Sequence, residues 1–239
     1  MARPDGRAPN ALRPVSFETG LQRSAAGSVL ISFGNTRVIC AATIEKRSPR
    51  WMKDDGRGWV TGEYAMLPGS GDNRVRRGPN GRATEIQRLI GRSLRGVVDL
   101  TALPGHTITV DCDVLDADGG TRTAAITGGW VALYQACQAL VDSGAIERMP
   151  ITRQLAAISV GIVKGEAVLD LPYSEDSIAE TDMNVVGTQD GRLIEVQGTA
   201  EGAPFDRKEL DALLDLAQAG IQELTRLQRE VLGLADWPA

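Results

Sequence analysis

The chain has 239 residues, enough for one large domain or a two-lobed one with a real core. Hydrophobic residues make up 42% and charged residues 24%, and the formal charge of -5 excludes a bulk polycation, so any nucleic-acid contact has to be a local patch. Three scattered cysteines without CxxC spacing and a single histidine, His106, speak against a thiolate or His-based zinc site, and against a Ser-His-Asp triad unless His106 alone serves. No apolar run is long enough to span a bilayer and no signal-peptide pattern is visible, so a cytoplasmic location is expected.

Residues 1–14, with Arg3, Arg7 and Arg13 among prolines and turn residues, read as a basic arm. Val29, Ile31 and Phe33 alternate along a strand over Gly27–Phe33, Gly34-Asn35 turns the chain, and Arg37–Ile44 returns as a second strand. Glu45–Val60 is charged, with Arg47, Arg50, Lys53, Asp54, Asp55 and Arg57 around two tryptophans, and Val60–Leu67 is extended. A long aperiodic loop over about 69–82 carries Arg74, Arg76, Arg77 and Arg82. Such a run is either a solvated charge cluster or a contact for a polyanion. The next helix is expected to be capped by Thr84, with Glu85 and Gln87 near its start. Ile86, Leu89, Ile90, Leu94 and Val97 form its apolar stripe. Arg88, Arg92 and Arg95 share the opposite face, where they meet phosphates, carboxylates of a neighbouring chain, or ordinary salt-bridge partners.

Ile108, Val110, Cys112 and Val114 alternate along a half-buried strand, and Ile126, Trp130, Leu133, Ala136, Cys137 and Leu140 mark a helix over Thr123–Leu140. Between them lies Asp118-Gly119-Gly120-Thr121-Arg122. A strand, a glycine turn, a hydroxyl, an arginine and a helix start form an oxyanion cradle, because the first helical N–H groups are unpaired and the glycines let the backbone come close. Arg122 can add two charge-assisted bonds to a phosphate. The plainer alternative is a capped helix with a solvent-facing arginine. The spacing is not that of a nucleotide P-loop.

In the second half, Leu155–Val163 alternates into a strand, Val168–Leu171 is short and apolar, and Pro172–Asp176 starts a loop or short helix. Thr181–Gly187 and Leu193–Gly198 are extended. A helix over about 206–234 carries the stripe Leu210, Leu213, Leu214, Ala217, Ile221, Leu224, Leu227 and Val231, with Asp206 and Glu209 as a capping box. The order of elements predicts an α+β domain with mixed sheets. Glu175, Asp176, Glu180 and Asp182 lie within eight positions. A turn over Ser177–Glu180 brings Asp176 back towards Asp182, and such a pair suits Mg²⁺ or Mn²⁺, or supplies a general acid; an acidic surface loop is the plainer alternative. A phosphate cradle, a basic groove and an acidic pair together point to phosphoryl chemistry, with water and inorganic phosphate both open as the nucleophile.

On these residues the chain closely resembles the ribonuclease PH family, the bacterial phosphate-dependent exoribonucleases also called tRNA nucleotidyltransferases. The resemblance rests on RPDGR at Arg3–Arg7, GSVLISFGNTRV at Gly27–Val38, GWVTGEYAMLP at Gly58–Pro68 and GRATEIQRLIGRSLR at Gly81–Arg95. It continues with DCDVLDADGGTRTAAITG at Asp111–Gly128, EDSIAETDMNVV at Glu175–Val186 and IEVQGTAEGAPF at Ile194–Phe205. It implies a single domain like the second domain of ribosomal protein S5, with two related βαβα halves, assembled as a homohexameric trimer of dimers. It further implies removal of nucleotides from the 3' ends of tRNA precursors, and of other structured RNAs such as rRNA, with inorganic phosphate releasing nucleoside diphosphates and the reverse reaction adding nucleotides.

By the same resemblance Arg82, Gly120, Thr121 and Arg122 bind phosphate. Asp176 and Asp182 hold Mg²⁺ (or Mn²⁺), and Asp182, Asp176 and Arg122 are the catalytic residues. Arg74, Arg76, Arg77, Arg88 and Arg92 are expected to contact RNA; neither DNA nor membrane is an expected partner. Two alternatives stand beside this reading: a hydrolytic exoribonuclease, and a non-catalytic ring subunit that only binds RNA, as in some eukaryotic relatives of the fold.

Overall fold

Val15–Thr19 (β1), Gly27–Phe33 (β2) and Thr36–Glu45 (β3) form an antiparallel meander in the computed structural model, which describes residues 3–52, 56–78, 80–235 and 237. Lys53, Asp54 and Asp55 of the charged run and Pro79 of the long loop lie outside the described residues. Trp59–Met66 (β4) leads through the loop to Gly81–Arg95 (α1), then Thr107–Asp116 (β5) and Thr121–Asp142 (α2). β4 and β5 pair in parallel, and the sheet order is β1-β2-β3-β5-β4. The second half holds Leu155–Val163 (β6), Glu166–Leu169 (β7), Tyr173–Asp176 (α3), Thr181–Thr188 (β8), Leu193–Ala200 (β9) and Arg207–Leu232 (α4). Its sheet, β7-β6-β8-β9, is antiparallel throughout.

α2 packs on β2, β3 and β5 of the first sheet and on β6 of the second. That position explains why its burial extends beyond the stripe read from sequence: Ala124, Ala125, Val131 and Ala132 are buried along with Ile126, Trp130 and Leu133. β6 departs from alternation for the same reason. All of Leu155–Val163 is buried, because α2 and α4 both cover a strand already flanked by β7 and β8. α1 follows the simpler rule. Ile86, Leu89, Ile90, Leu94 and Val97 are all buried, each contributing about 1.5–3 kcal/mol against exposure.

The helix starts differ in how they are capped. Asn80, not Thr84, caps α1: its extended backbone and side-chain oxygen meet the N–H of Ala83, while Thr84 lies inside the first turn and bonds back to Asn80 O. α4 begins as expected, with Asp206 and Glu209 satisfying each other's backbone N–H groups. Gln228 of α4 is fully buried and donates to Thr127 O (3.0 Å) and Leu155 O (2.9 Å), a polar staple between α4, α2 and β6. β1 has no counterpart in the sequence reading: five residues at a sheet edge, paired on one side only, leave a weak pattern.

Candidate nucleic-acid and anion site

Among the described residues 3–14, the expected basic arm is not free. Arg3 is buried, with Nε and Nη2 on the two oxygens of Glu175 at 2.9 and 2.6 Å. Arg13 is buried against Asp170 (Nη2–Oδ1 2.7 Å), and Arg7 reaches the Asp170 carbonyl at 3.0 Å. Glu175 therefore leaves the acidic cluster and turns inward, and Glu180 accepts the N–H of Gly165.

The two remaining acids meet the glycine turn. A cleft of about 360 Å³ is lined by Arg82, Gly119, Gly120, Thr121, Arg122, Asp176 and Asp182. Each part is positioned by a different element. Gly119 (φ 72°) and Gly120 (φ 68°) are left-handed, as the turn requires, and a Cβ at 119 would lie 2.5 Å from Leu171 O. Thr36 holds the turn from β3, its hydroxyl donating to Gly119 O at 2.6 Å and accepting from Asp118 N at 2.9 Å. Gly120 offers no side chain to cap α2, so the first helical residues present their backbone to the cleft.

Thr121 is buried, and its Oγ1 lies 2.8 Å from the hydroxyl of Tyr64 on β4. With Tyr64 as donor, the Thr121 proton remains free for an anion. Arg122 Nη1 rests 2.8 Å from Gln197 Oε1 and 3.5 Å from Glu85 Oε1. Arg82 is exposed at the rim, with Nη1 3.4 Å from Met66 Sδ. Burial pushes the Tyr64 phenol up, opposed by its hydrogen bond to Thr121 and by the charges of Arg82 and Arg122.

Asp182 and Asn184 face the cleft from β8, and Asp176 faces it from the short helix α3. Burial, then the charge of Asp176, pushes the Asp182 carboxyl up to about 6, against the pull of Arg122. Burial likewise raises Asp176, opposed by Arg122, Arg82 and Arg13. A pair so disposed resists carrying two charges together, and a divalent cation answers that. Mg²⁺ commonly takes one or two carboxylates and completes its shell with phosphate oxygens and water. The two acids fit such a shared site rather than an all-protein cage, since among the described residues no group of three or more His, Cys, Asp or Glu could hold a metal ion.

The other expected RNA contacts are dispersed. Arg76 and Arg77 line an adjoining cleft of about 500 Å³, together with Glu63, Asp111 and Asp113, whose carboxyls are all raised by burial. Arg74 and Arg88 are exposed and line neither cleft. Arg92 is bidentate to Glu195 on β9 (2.9 and 3.1 Å), and Arg95 packs 4.3 Å from the Trp59 ring while donating to Val60 O. His106 sits at the far end of β5, bonded through Nδ1 to Pro104 O (2.8 Å), and takes no part in the cleft. Ser159, Tyr173 and Asn184 also line the cleft, and none of them is singled out for it by the sequence; nor is Tyr64, which supports Thr121 from behind. No local spacing signals the three lining residues, because three separate elements, β6, α3 and β8, deliver them. All three cysteines are buried and unpaired.

Residues 11–138 match the 3' exoribonuclease family, domain 1, and residues 154–220 match domain 2 of the same family. Among solved structures, rice (Oryza sativa) Rrp46 superposes with a TM-score of 0.81 at 23% identity, covering 97% of this chain and 100% of its own. The Archaeoglobus fulgidus exosome with RNA bound to the active site gives 0.80 at 24%, covering 94% and 91%. An archaeal exosome core gives 0.76 at 22%, covering 95% and 90%. These are likenesses of fold: an α+β, S5-domain-2-like arrangement of βαβα units.

The functional expectation is corrected here. The solved structures named above are Rrp46 and exosome chains rather than a bacterial tRNA nucleotidyltransferase. The reading as a phosphate-dependent exoribonuclease and transferase acting in tRNA and rRNA processing is set aside. Since the two family models cover residues 11–138 and 154–220 and the fold is shared along nearly the whole length, the chain belongs to the 3' exoribonuclease (RNase PH) family.

Proposed function

We propose that this chain is an RNA-binding subunit of a multi-subunit ring, and that the cleft between α2, α1 and β8 takes the backbone phosphates near an RNA 3' end. The observation that carries the reading is the convergence of Arg82, Arg122 and the Gly119–Thr121 turn on one cleft in a chain of net negative charge. Two guanidinium groups and a helix start suit a phosphate and read no base, so binding is expected to be weak in sequence preference. Asp176 and Asp182 are the residues that would hold Mg²⁺ or Mn²⁺, which would neutralise phosphate charge in the cleft, and inorganic phosphate competes for the turn. Arg76 and Arg77, in the adjoining cleft, extend the basic path along the strand. A homohexamer, a trimer of dimers, is the assembly we assign, and the cytoplasm the setting, where three unpaired thiols stay reduced.

The test measures binding of an end-labelled single-stranded RNA across salt concentrations, with assembly followed by sedimentation. Wild type should bind with a salt-dependent affinity. Arg122→Ala should weaken binding and reduce the slope of log K on log salt by about 0.7, one phosphate's worth. An Arg122→Ala protein with wild-type affinity and slope sinks the reading. So does phosphate-dependent release of nucleoside diphosphates by the wild-type protein, which would restore the catalytic role.

A further inference from the structure

Arg13 lines no part of the cleft, yet it touches both of the pieces that build it. Its side chain is 4% exposed and that of Asp170 is 0% exposed. Three bonds join them: Arg13 N to Oδ2 at 2.7 Å, Nε to Oδ2 at 3.0 Å and Nη2 to Oδ1 at 2.7 Å. The rest of the guanidinium fork points at the turn before α2, with Nη1 donating to Asp118 O at 2.6 Å and Nη2 to Gly119 O at 3.4 Å. A planar group with five donors in fixed directions can serve a carboxylate and two carbonyls at once; an ammonium cannot.

Asp170 in turn opens the segment that leads to Asp176. Its backbone is left-handed (φ 57°), and its carbonyl accepts from Arg3 (3.0 Å) and Arg7 (3.0 Å). Leu171 N donates to Ser159 Oγ, and Tyr173 N reaches back to Asp118 Oδ1 at 3.2 Å. Beyond Tyr173, the Arg3–Glu175 pair clamps the buried side of α3, leaving Asp176 on the side of the cleft. The N-terminal segment thus joins the glycine turn to the segment that leads into α3 and carries Asp176.

We propose that Arg13, through Asp170, is a positioning residue that sets the anion-binding turn against the Asp176–Asp182 pair, so that the N-terminal segment assembles the RNA cleft without touching RNA. The proposal rests on the cleft being the RNA site. Because both partners are buried, weakening one leaves the other poorly paired, with only Arg7 Nη1, at 3.5 Å, as another side-chain cation near the Asp170 carboxylate among the described residues, and releases the turn and the segment together.

The experiment compares wild type, Arg13→Lys, Asp170→Asn, Arg122→Ala and Gln228→Ala as assembled full-length proteins, binding a short single-stranded RNA over a salt series, well below each thermal midpoint. Arg13→Lys keeps the charge and loses the fork. It should weaken binding on the order of tenfold, the worth of a charge-assisted hydrogen bond, with the wild-type salt slope retained. Asp170→Asn should act in the same direction. Gln228→Ala, destabilised in α4 away from the cleft, should bind as wild type does. The proposal is overturned if folded Arg13→Lys or Asp170→Asn binds like wild type, or if the slope drops as in Arg122→Ala, which makes Arg13 a direct contact. It is also overturned if Gln228→Ala loses as much, which makes the effect general destabilisation. Should Arg13→Lys fail to fold, Asp170→Asn decides alone. If wild type binds no RNA, or Arg122→Ala binds like it, the cleft reading falls and this one with it; if those two behave as expected, only the role of Arg13 is at stake.

Discussion

Thr127 Oγ1 both donates to Ala157 O (3.1 Å) and accepts from Ala157 N (2.9 Å). Ala157 sits on β6 before its pairing with β7 begins at Val160, so its backbone on that side has no strand partner. One buried hydroxyl on α2 satisfies both groups, and it couples the helix that starts at the anion turn to the sheet that carries Asp182. Thr127→Val keeps the shape and removes both bonds. Leaving a buried N–H and C=O unpaired should cost about 1–3 kcal/mol, read as a lower denaturation midpoint with unchanged m-value. A midpoint equal to wild type would mean that water or a backbone shift replaces the hydroxyl.

Gly119 and Gly120 are adjacent and both left-handed, but they tolerate a methyl group differently. At 119 the new Cβ meets backbone atoms, Leu171 O at 2.5 Å and Pro172 C at 2.8 Å, which cannot move without shifting the segment towards Asp176. At 120 the contacts are side-chain ends, Arg13 Nη2 at 3.0 Å and Thr123 Oγ1 at 3.2 Å. Gly119→Ala should therefore lose more stability and more RNA affinity than Gly120→Ala, with the latter somewhat above the roughly 1 kcal/mol cost of the backbone conformation because Arg13 Nη2 has to give by a few tenths of an ångström. The reverse order in paired melts and binding curves would contradict the packing.

Asp182 should destabilise the metal-free fold at neutral pH. Its carboxyl is raised from 3.8 to about 6 in the folded state. Between those values the folded chain binds more protons than the unfolded one, so this group's contribution falls as pH rises through the window and levels off above it. Asp182→Asn removes the titration. In metal-free buffer it should melt a few degrees above wild type at pH 7.5, with roughly 3 kcal/mol as the ceiling and the advantage fading towards pH 4. A variant that melts lower at pH 7.5 would show that Asp182 makes a favourable contact outweighing its burial.

Arg92 is tied to Glu195 in a bidentate pair whose side chains are 52% and 23% exposed. Such pairs are worth about 0–1 kcal/mol, and this one is directed at β9 rather than the cleft. Arg92→Ala should change stability by less than about 1 kcal/mol and leave the RNA salt slope alone. The double change Arg76→Ala, Arg77→Ala should reduce the slope. A slope lost with Arg92 and kept without Arg76 and Arg77 would reverse the assignment of the basic path.

Much of this was legible along the chain. The α1 stripe, the glycine turn before α2, the acidic pair and the Asp206–Glu209 box are local patterns, in which periodicity or a cap rests on residues a few positions apart. The failures are of one kind. Arg3 and Arg13 looked like a solvent-facing arm because nothing nearby pairs with them; their partners Glu175 and Asp170 lie 172 and 157 positions away. Asn80 displaced Thr84 as the cap because one helical turn of polar residues offers several candidates, and backbone geometry selects among them.

The sequence by itself determined which residues carry charge, which faces are apolar, and where the backbone has to turn left-handed, because these follow from side-chain chemistry within a few residues. The tertiary structure alone decided which charges are spent on the fold and which face the cleft. Arg13, Arg3 and Glu175 were taken inward, while Arg82, Arg122, Asp176 and Asp182 were left together. A charge's role depends on how much water remains around it and which opposite charge lies within reach, and those are set only when distant segments pack.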